Sequence, residues 1–275
     1  IRRTVDWFRR SLPDPAAAWA IVAPEVPRAP AGLRARLVAD FVRVALGASQ
    51  AATAAEAFAL GHPALQRTAD EALELARLWR LGGRADAALA ALGEHTTPAV
   101  VERRIELLRE LNRNREALAV LRARIDARPG GMPTPEELAE YGTIALQAGA
   151  PAEAVAIYRR FAAVQPADLA VARRLRDLLI AAGDPAAAVE FARRAATLSQ
   201  RDRREVQELA QILEWAGAPG EAFEAWLEVA RAGILPAIDR LIALNPGLYR
   251  DEDLRLVLER VVPVDGRPDY TLRLA

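Results

Sequence analysis

Few side chains in this sequence have the type and spacing to do chemistry. Histidine occurs at His62 and His95, each beside a turn, and neither has an Asp, Glu or Cys at a metal-ligand spacing. Both read as loop histidines, and no metal or cofactor is expected. Ser11, Ser49 and Ser199 lie outside any G-x-S-x-G context. Gly82-Gly83 and Gly130-Gly131 close helical patterns and do not follow strands, so neither suggests a phosphate cradle. Glu102 and Glu106 share a helical face, as a general acid–base pair would. Arg109 follows Glu106 by three residues, however, which is the pattern of a solvated helix surface. No catalytic residue is expected. One constellation remains: Trp215 with Gln207, Gln211 and Glu214. An indole among amide and carboxyl groups can stack on a sugar ring while its neighbours hydrogen-bond the hydroxyls. Packing of Trp215 against the next helix is the competing assignment, because aromatics at helical spacing usually belong to a core.

The elements that would carry these residues appear in Val206–Ala230. Val206, Leu209, Ala210 and Leu213 line one helical face; Gly217-Ala218-Pro219 breaks the pattern; Ala222, Phe223, Trp226 and Leu227 continue it on a second helix. Neither helix can bury its face alone. The breaker and the small residue five later recur along the chain. Gly183/Ala188 stand 34 residues earlier and Gly149/Ala154 another 34. Asn112/Ala117 follow at 37, Gly83/Ala88 at 29, Gly47/Ala52 at 36 and, weakly, Pro13/Ala18 at 34. A period near 34 with helix-turn-helix content is the signature of tetratricopeptide repeats. Other positions agree. Thirteen before the marker stand Leu75, Tyr141, Leu175 and Leu209; twelve before, Ala76, Gly142 and Ala210 are small. Arg104, Ile105 and Arg176 depart from the pattern. The fold expected is all-α, a right-handed α-solenoid of tetratricopeptide-like repeats, the handedness being that of the repeat family.

Composition narrows the function classes. Acids and bases balance at 37 each, so no global field points to nucleic acid or a membrane surface. There is no cysteine, which removes disulfides and thiolate metal sites. Every basic side chain is arginine, as in the Arg- and Ala-rich usage of a high-GC genome. No apolar run reaches the ~18 residues of a membrane span. Ile1 in place of an initiator Met reads as an excerpt of a longer chain.

Four segments are expected: loosely matched repeats over 1–62, regular repeats over 63–232, a divergent helical pair over 233–262, and a linker with the start of a truncated repeat over 263–275. In the pair, Leu235–Leu244 and Asp251–Val261 are joined by Asn245-Pro246-Gly247. Ala64–Leu81 reads as one long helix. First helices of such repeats line a concave side used for binding. Its exposed positions give a partner-binding strip: Asp70, Arg77 and Arg80; Glu102, Glu106, Arg109 and Glu110; Glu136 and Gln147; Arg173 and Asp177; Gln207, Gln211, Glu214 and Trp215.

At Leu213-Glu214-Trp215-Ala216-Gly217 followed by Glu221-Ala222 and Trp226-Leu227, the sequence resembles the PelB family, outer-membrane export proteins for the Pel exopolysaccharide. Leu108–Leu111 with Glu116-Ala117-Leu118, and the Pro133–Leu138 opening, are similar too. The resemblance implies a periplasmic, non-catalytic scaffold that docks a polysaccharide hydrolase or deacetylase and guides polymer to a pore. Pel is cationic and would favour an acidic groove, whereas the strip is mixed in charge, which favours protein docking here. The alternating strands of a barrel are missing from this stretch. A cytoplasmic adaptor that grips a partner peptide is the alternative.

Overall fold

The computed structural model describes residues 14–265, and side chains through 260. The start of the segment expected over 1–62 and residues 266–275 of the expected linker and truncated repeat lie outside the described residues. The chain forms two compact units, Ile1–Gly131 and Met132–Ala275. In the first, α1 (Pro15–Val22) precedes three helical hairpins: α2 (Ala31–Gly47) with α3 (Ala51–Gly61), α4 (Ala69–Leu81) with α5 (Ala85–Ala91), and α6 (Pro98–Glu110) with α7 (Asn114–Asp126). The second holds four: α8 (Pro135–Gln147) with α9 (Pro151–Val164), α10 (Leu169–Ala181) with α11 (Pro185–Leu198), α12 (Arg203–Trp215) with α13 (Pro219–Arg231), and α14 (Leu235–Leu248) with α15 (Asp251–Asp265). Strands are absent among the described residues, and no described helix is long and apolar enough to cross a membrane. Each unit is thus an all-α stack of tetratricopeptide-like hairpins.

Local sequence explains where the helices start and stop. Thr68 and Glu71 form a reciprocal capping box at α4, and Thr134 and Glu137 do the same at α8. Asp168, Asp184 and Asp202 accept backbone N–H bonds at the starts of α10, α11 and α12. Within the hairpins the chain reverses through one left-handed residue: Gly83, Asn112, Gly149, Gly183 or Gly217. Five residues on, Ala88, Ala117, Ala154, Ala188 and Ala222 are each 0% exposed, so two helices close over a methyl group. Gly142 shows how tight the approach is: a Cβ there would meet the Tyr158 hydroxyl at 2.9 Å, and that hydroxyl donates to the Leu138 carbonyl at 2.8 Å.

Several expectations are corrected. The first complete hairpin turns at Ser49, whose φ is 60°, not at Gly47, which still belongs to α2. The marker is therefore Ala54, 0% exposed, in place of the half-buried Ala52. Phe41 then falls thirteen residues before it, at the large position, and Ala88 follows by 34. The last hairpin lacks the Gly-to-Ala pair but still reverses through one left-handed residue. Asn245, Pro246 and Gly247 lie inside α14, and the reversal is made by Tyr249 at φ 54°, with buried Leu254 five residues on. The Asn245 amide holds this turn, donating to Asp251 at 2.5 Å and accepting from the Arg250 N–H at 2.8 Å. The 64–81 segment is not one helix: a 3-10 turn at Ala64–Gln66 is separated from α4 by the Thr68 capping box. Pro263 lies within α15, which runs to Asp265.

The departures at Arg104 and Ile105 have a use. Ile105 is core, and Arg104 donates to the carbonyls of Gly93 at 2.7 Å and His95 at 3.2 Å, tying down the loop after the short α5.

Candidate functional site

In the second unit the first helices stand side by side, joined by side-chain bonds. Arg174 on α10 donates to Thr143 on α8 at 3.0 Å. Between α10 and α12, Arg173 and Arg176 grip the two oxygens of Glu205, each at 2.8 Å, and Arg176 also donates to Asp177 at 2.9 Å. Glu205 is 3% exposed and Arg176 7%. Burial draws the Arg176 guanidinium down; bonding to Asp177 and the fields of Asp177, Glu205 and Glu208 outweigh it and leave it above the usual arginine range. Arg176, the oversized residue at a small position, thus reaches across to the next repeat.

Between α12 and α14 the link is Glu214. It accepts the Trp226 indole N–H at 2.5 Å and Arg240 Nε at 3.1 Å, with a second close bond from Arg240 Nη2. Its side chain is only 10% exposed. Trp215, by contrast, is 55% exposed at the last position of α12 and does not pack into the core. Gln207 is exposed, Gln211 half-buried, and with Trp215 they run down one face at steps of four.

The other strip residues sit as follows. Gln147 is exposed at the end of α8. Glu136 is exposed in the first turn of α8, where a backbone N–H and the Thr134 hydroxyl hold its carboxyl below the usual range. In the first unit, Arg77 pairs with Glu74 along α4, Glu106 with Arg103 along α6, and Arg80 with Glu110 across the two helices at 2.8 Å. Glu102, Arg109 and Asp70 are exposed. The strip residues are therefore brought onto first helices, but Arg77, Arg80, Glu106, Glu110, Arg173, Asp177 and Glu214 are engaged in ion pairs.

Two residues escaped the choice of polar and aromatic positions. Leu146 and Ile180 stand 68 and 34 residues before Glu214 and occupy its register on α8 and α10. Leu146 is 37% exposed and Ile180 half-buried. The 34-residue spacing would have found both.

The His62 side chain sits against the backbone. The His62 ring stacks on Phe58 at 4.1 Å, with Nδ1 3.0 Å from the Phe58 carbonyl and Nε2 3.5 Å from Glu71. Among the described residues no three His, Cys, Asp or Glu side chains are grouped to hold a metal.

No family model and no curated protein matches the chain. Among solved structures, a tetratricopeptide repeat protein from Parabacteroides merdae ATCC 43184 is 15% identical, over 87% of this chain and 96% of its own, with a TM-score of 0.39. A MamA fragment (41-end) from Desulfovibrio magneticus RS-1 is 17% identical over 60% of this chain and 96% of its own, TM-score 0.41. YrrB, described as a TPR protein with an unusual peptide-binding site, is 14% identical over 74% and 90%, TM-score 0.38. Likeness at this level is one of fold alone.

Proposed function

We propose that the chain is a non-catalytic interaction scaffold that binds a partner protein on the first-helix face of its repeats. The observation that carries the reading is Trp215, a large aromatic 55% exposed on a helix whose aliphatic side chains are buried. It stands with Gln207 and Gln211 on that one face. Exposed Trp is costly to leave in water and is typical of contact surfaces. The ion pairs beside it hold the repeats in register and so fix the surface on which it stands.

A narrower reading follows from the Glu214–Gly217 and Glu221–Leu227 resemblance: a periplasmic scaffold in Pel export that docks a polysaccharide hydrolase or deacetylase. It rests on those motifs and on the similar Leu108–Leu111, Glu116–Leu118 and Pro133–Leu138 stretches. The adaptor reading in the cytoplasm needs only the repeats. The chain used as bait in periplasmic and cytoplasmic extracts of its source separates them. Under the scaffold reading a partner is retained by the native chain and lost from Trp215→Ala. A periplasmic hydrolase or deacetylase supports export, and a purely cytoplasmic partner discards it. Equal capture by both baits would sink the role given to this face.

A further inference from the structure

We propose that the second unit carries a further docking surface, for a short acidic segment of a partner protein, along the edge where each second helix hands the chain to the next hairpin. This surface is separate from the Trp215 face and stands or falls independently of it.

The first observation is where the unpaired cations lie. Arg159, Arg194, Arg231 and Arg260 sit in the C-terminal halves of α9, α11, α13 and α15, and Arg203 and Arg204 open α12. Stacked hairpins run parallel, so these ends share one edge of the unit. Five of the six are exposed; Arg194 is half-buried over the Phe191 ring at 5.6 Å. Among the described residues none of the six is in an ion pair. The carboxylates on the same edge are already engaged. Glu221 and Glu228 hold Arg193 and Arg201, while Asp168 and Asp202 accept backbone N–H bonds.

The second observation separates structure from binding. A cation near a helix C-terminus offsets the macrodipole, which accounts for Arg159, Arg194, Arg231 and Arg260 without any ligand. Arg203 and Arg204 stand at the opposite, positive end of α12, where the macrodipole disfavours them. They are also adjacent like charges with no ion pair to compensate them. A local cost with no structural return is the mark of a residue kept for contact. The rest of the unit then limits the partner. Residues 132–275 hold 17 arginines against 22 Asp and Glu, so the surface beyond this edge carries an acidic surplus. A continuous polyanion, such as nucleic acid or an anionic bilayer, would run past the patch into repulsion. A short run of Asp and Glu would not. Such a run stays extended in water, and its carboxylates match the arginine fork.

The test uses the full 275-residue chain and fluorescence anisotropy. The probe is a labelled peptide of about ten Asp and Glu residues, with its Asn and Gln counterpart as the neutral control. The acidic peptide should bind and the neutral one should not, and raising NaCl from about 50 to 300 mM should weaken binding about tenfold or more. Arg203→Gln with Arg204→Gln should weaken it about fivefold or more, with a melting temperature equal to or above the native chain's, since two cations leave the positive end of α12. Removing the same charge from exposed positions of the first unit, Arg36→Gln with Arg115→Gln, should leave the Kd within about twofold. Trp215→Ala should leave it unchanged as well. Absence of binding, or equal weakening by the Arg36 and Arg115 pair, would overturn the proposal, because only the overall field would then be at work. A lowered melting temperature for the Arg203 and Arg204 pair would overturn it too, by assigning those arginines to the fold. Loss of the acidic peptide from Trp215→Ala would move it to the first-helix face. Tighter binding of single-stranded DNA or phosphatidylserine vesicles through Arg203 and Arg204 would give the edge to a phosphate polyanion instead. None of these outcomes removes the role given to Trp215, which its own bait experiment decides.

Discussion

Glu205 is a carboxylate at 3% exposure whose two oxygens are each held by an arginine. Removing it leaves Arg176 charged, buried and short of one of its two carboxylate partners. Glu205→Ala is therefore expected to cost about 3–5 kcal/mol in denaturant unfolding. Replacing the pair together, Arg176→Met with Glu205→Leu, should recover most of that loss, because apolar side chains of similar size carry no desolvation penalty. A double variant as unstable as the single would show that the pair is not the source. Trp215→Ala is the opposite case. With 55% of the residue in water and no cavity left behind, its melting temperature should stay within about 2 °C of the native chain's. The sequence marks Arg176 as an anomaly at a small position but not its remedy, since Glu205 lies 29 residues on. Separations of 30 and 26 residues likewise hid the engagement of Arg80 with Glu110 and of Glu214 with Arg240. Side chains that look free on one helix are neutralised by the next.

At the scale of the element, the period of 34 was legible because its cause is local: a residue that can turn the chain left-handed, then a methyl over which two helices close. It failed where the turn residue is neither glycine nor asparagine. Ser49 and Tyr249 adopt φ of 60° and 54°, and nothing in their side chains advertises it. Gly47 drew the first turn two residues early. The correction has a sign that can be measured. Gly47 ends α2 in helical geometry, and a Cβ there would meet nothing within 4 Å. Gly47→Ala should stabilise the chain by about 0.5 kcal/mol through helix propensity and a smaller unfolded ensemble. Were Gly47 the left-handed turn, the same change would destabilise it. The α11–α12 connection gives a matching case, with Gln200 and Arg201 both left-handed at φ 55° and 59°. Gln200→Gly removes a strain of about 1–2 kcal/mol against a smaller entropic loss, so a small gain in melting temperature is expected.

Across the whole chain, acids and bases cancel at 37 each, and most of the described ion pairs are exposed and contribute little singly. Their collective effect is read in acid. The Arg201 guanidinium, by hydrogen bonding, holds Glu228 below its ordinary 4.5; the Thr68 N–H does the same for Glu71, and Arg113 for Glu116. In each case the folded value is depressed, so the folded state binds its proton later than the unfolded chain. The stability these groups add is complete above about 4.5 and is lost as pH falls through their lower folded values. Melting temperature should thus be level from about pH 7 to 5.5 and drop below about pH 4.5. Arg201→Gln should flatten part of that drop, because Glu228 then titrates alike in both states. A decline already under way near pH 6, or an Arg201→Gln profile parallel to the native one, would place the acid sensitivity elsewhere than in these carboxylates. Composition alone could supply the balance of charge but not this profile, since the profile depends on which carboxylate each arginine reaches, and Glu228 lies 27 residues from Arg201.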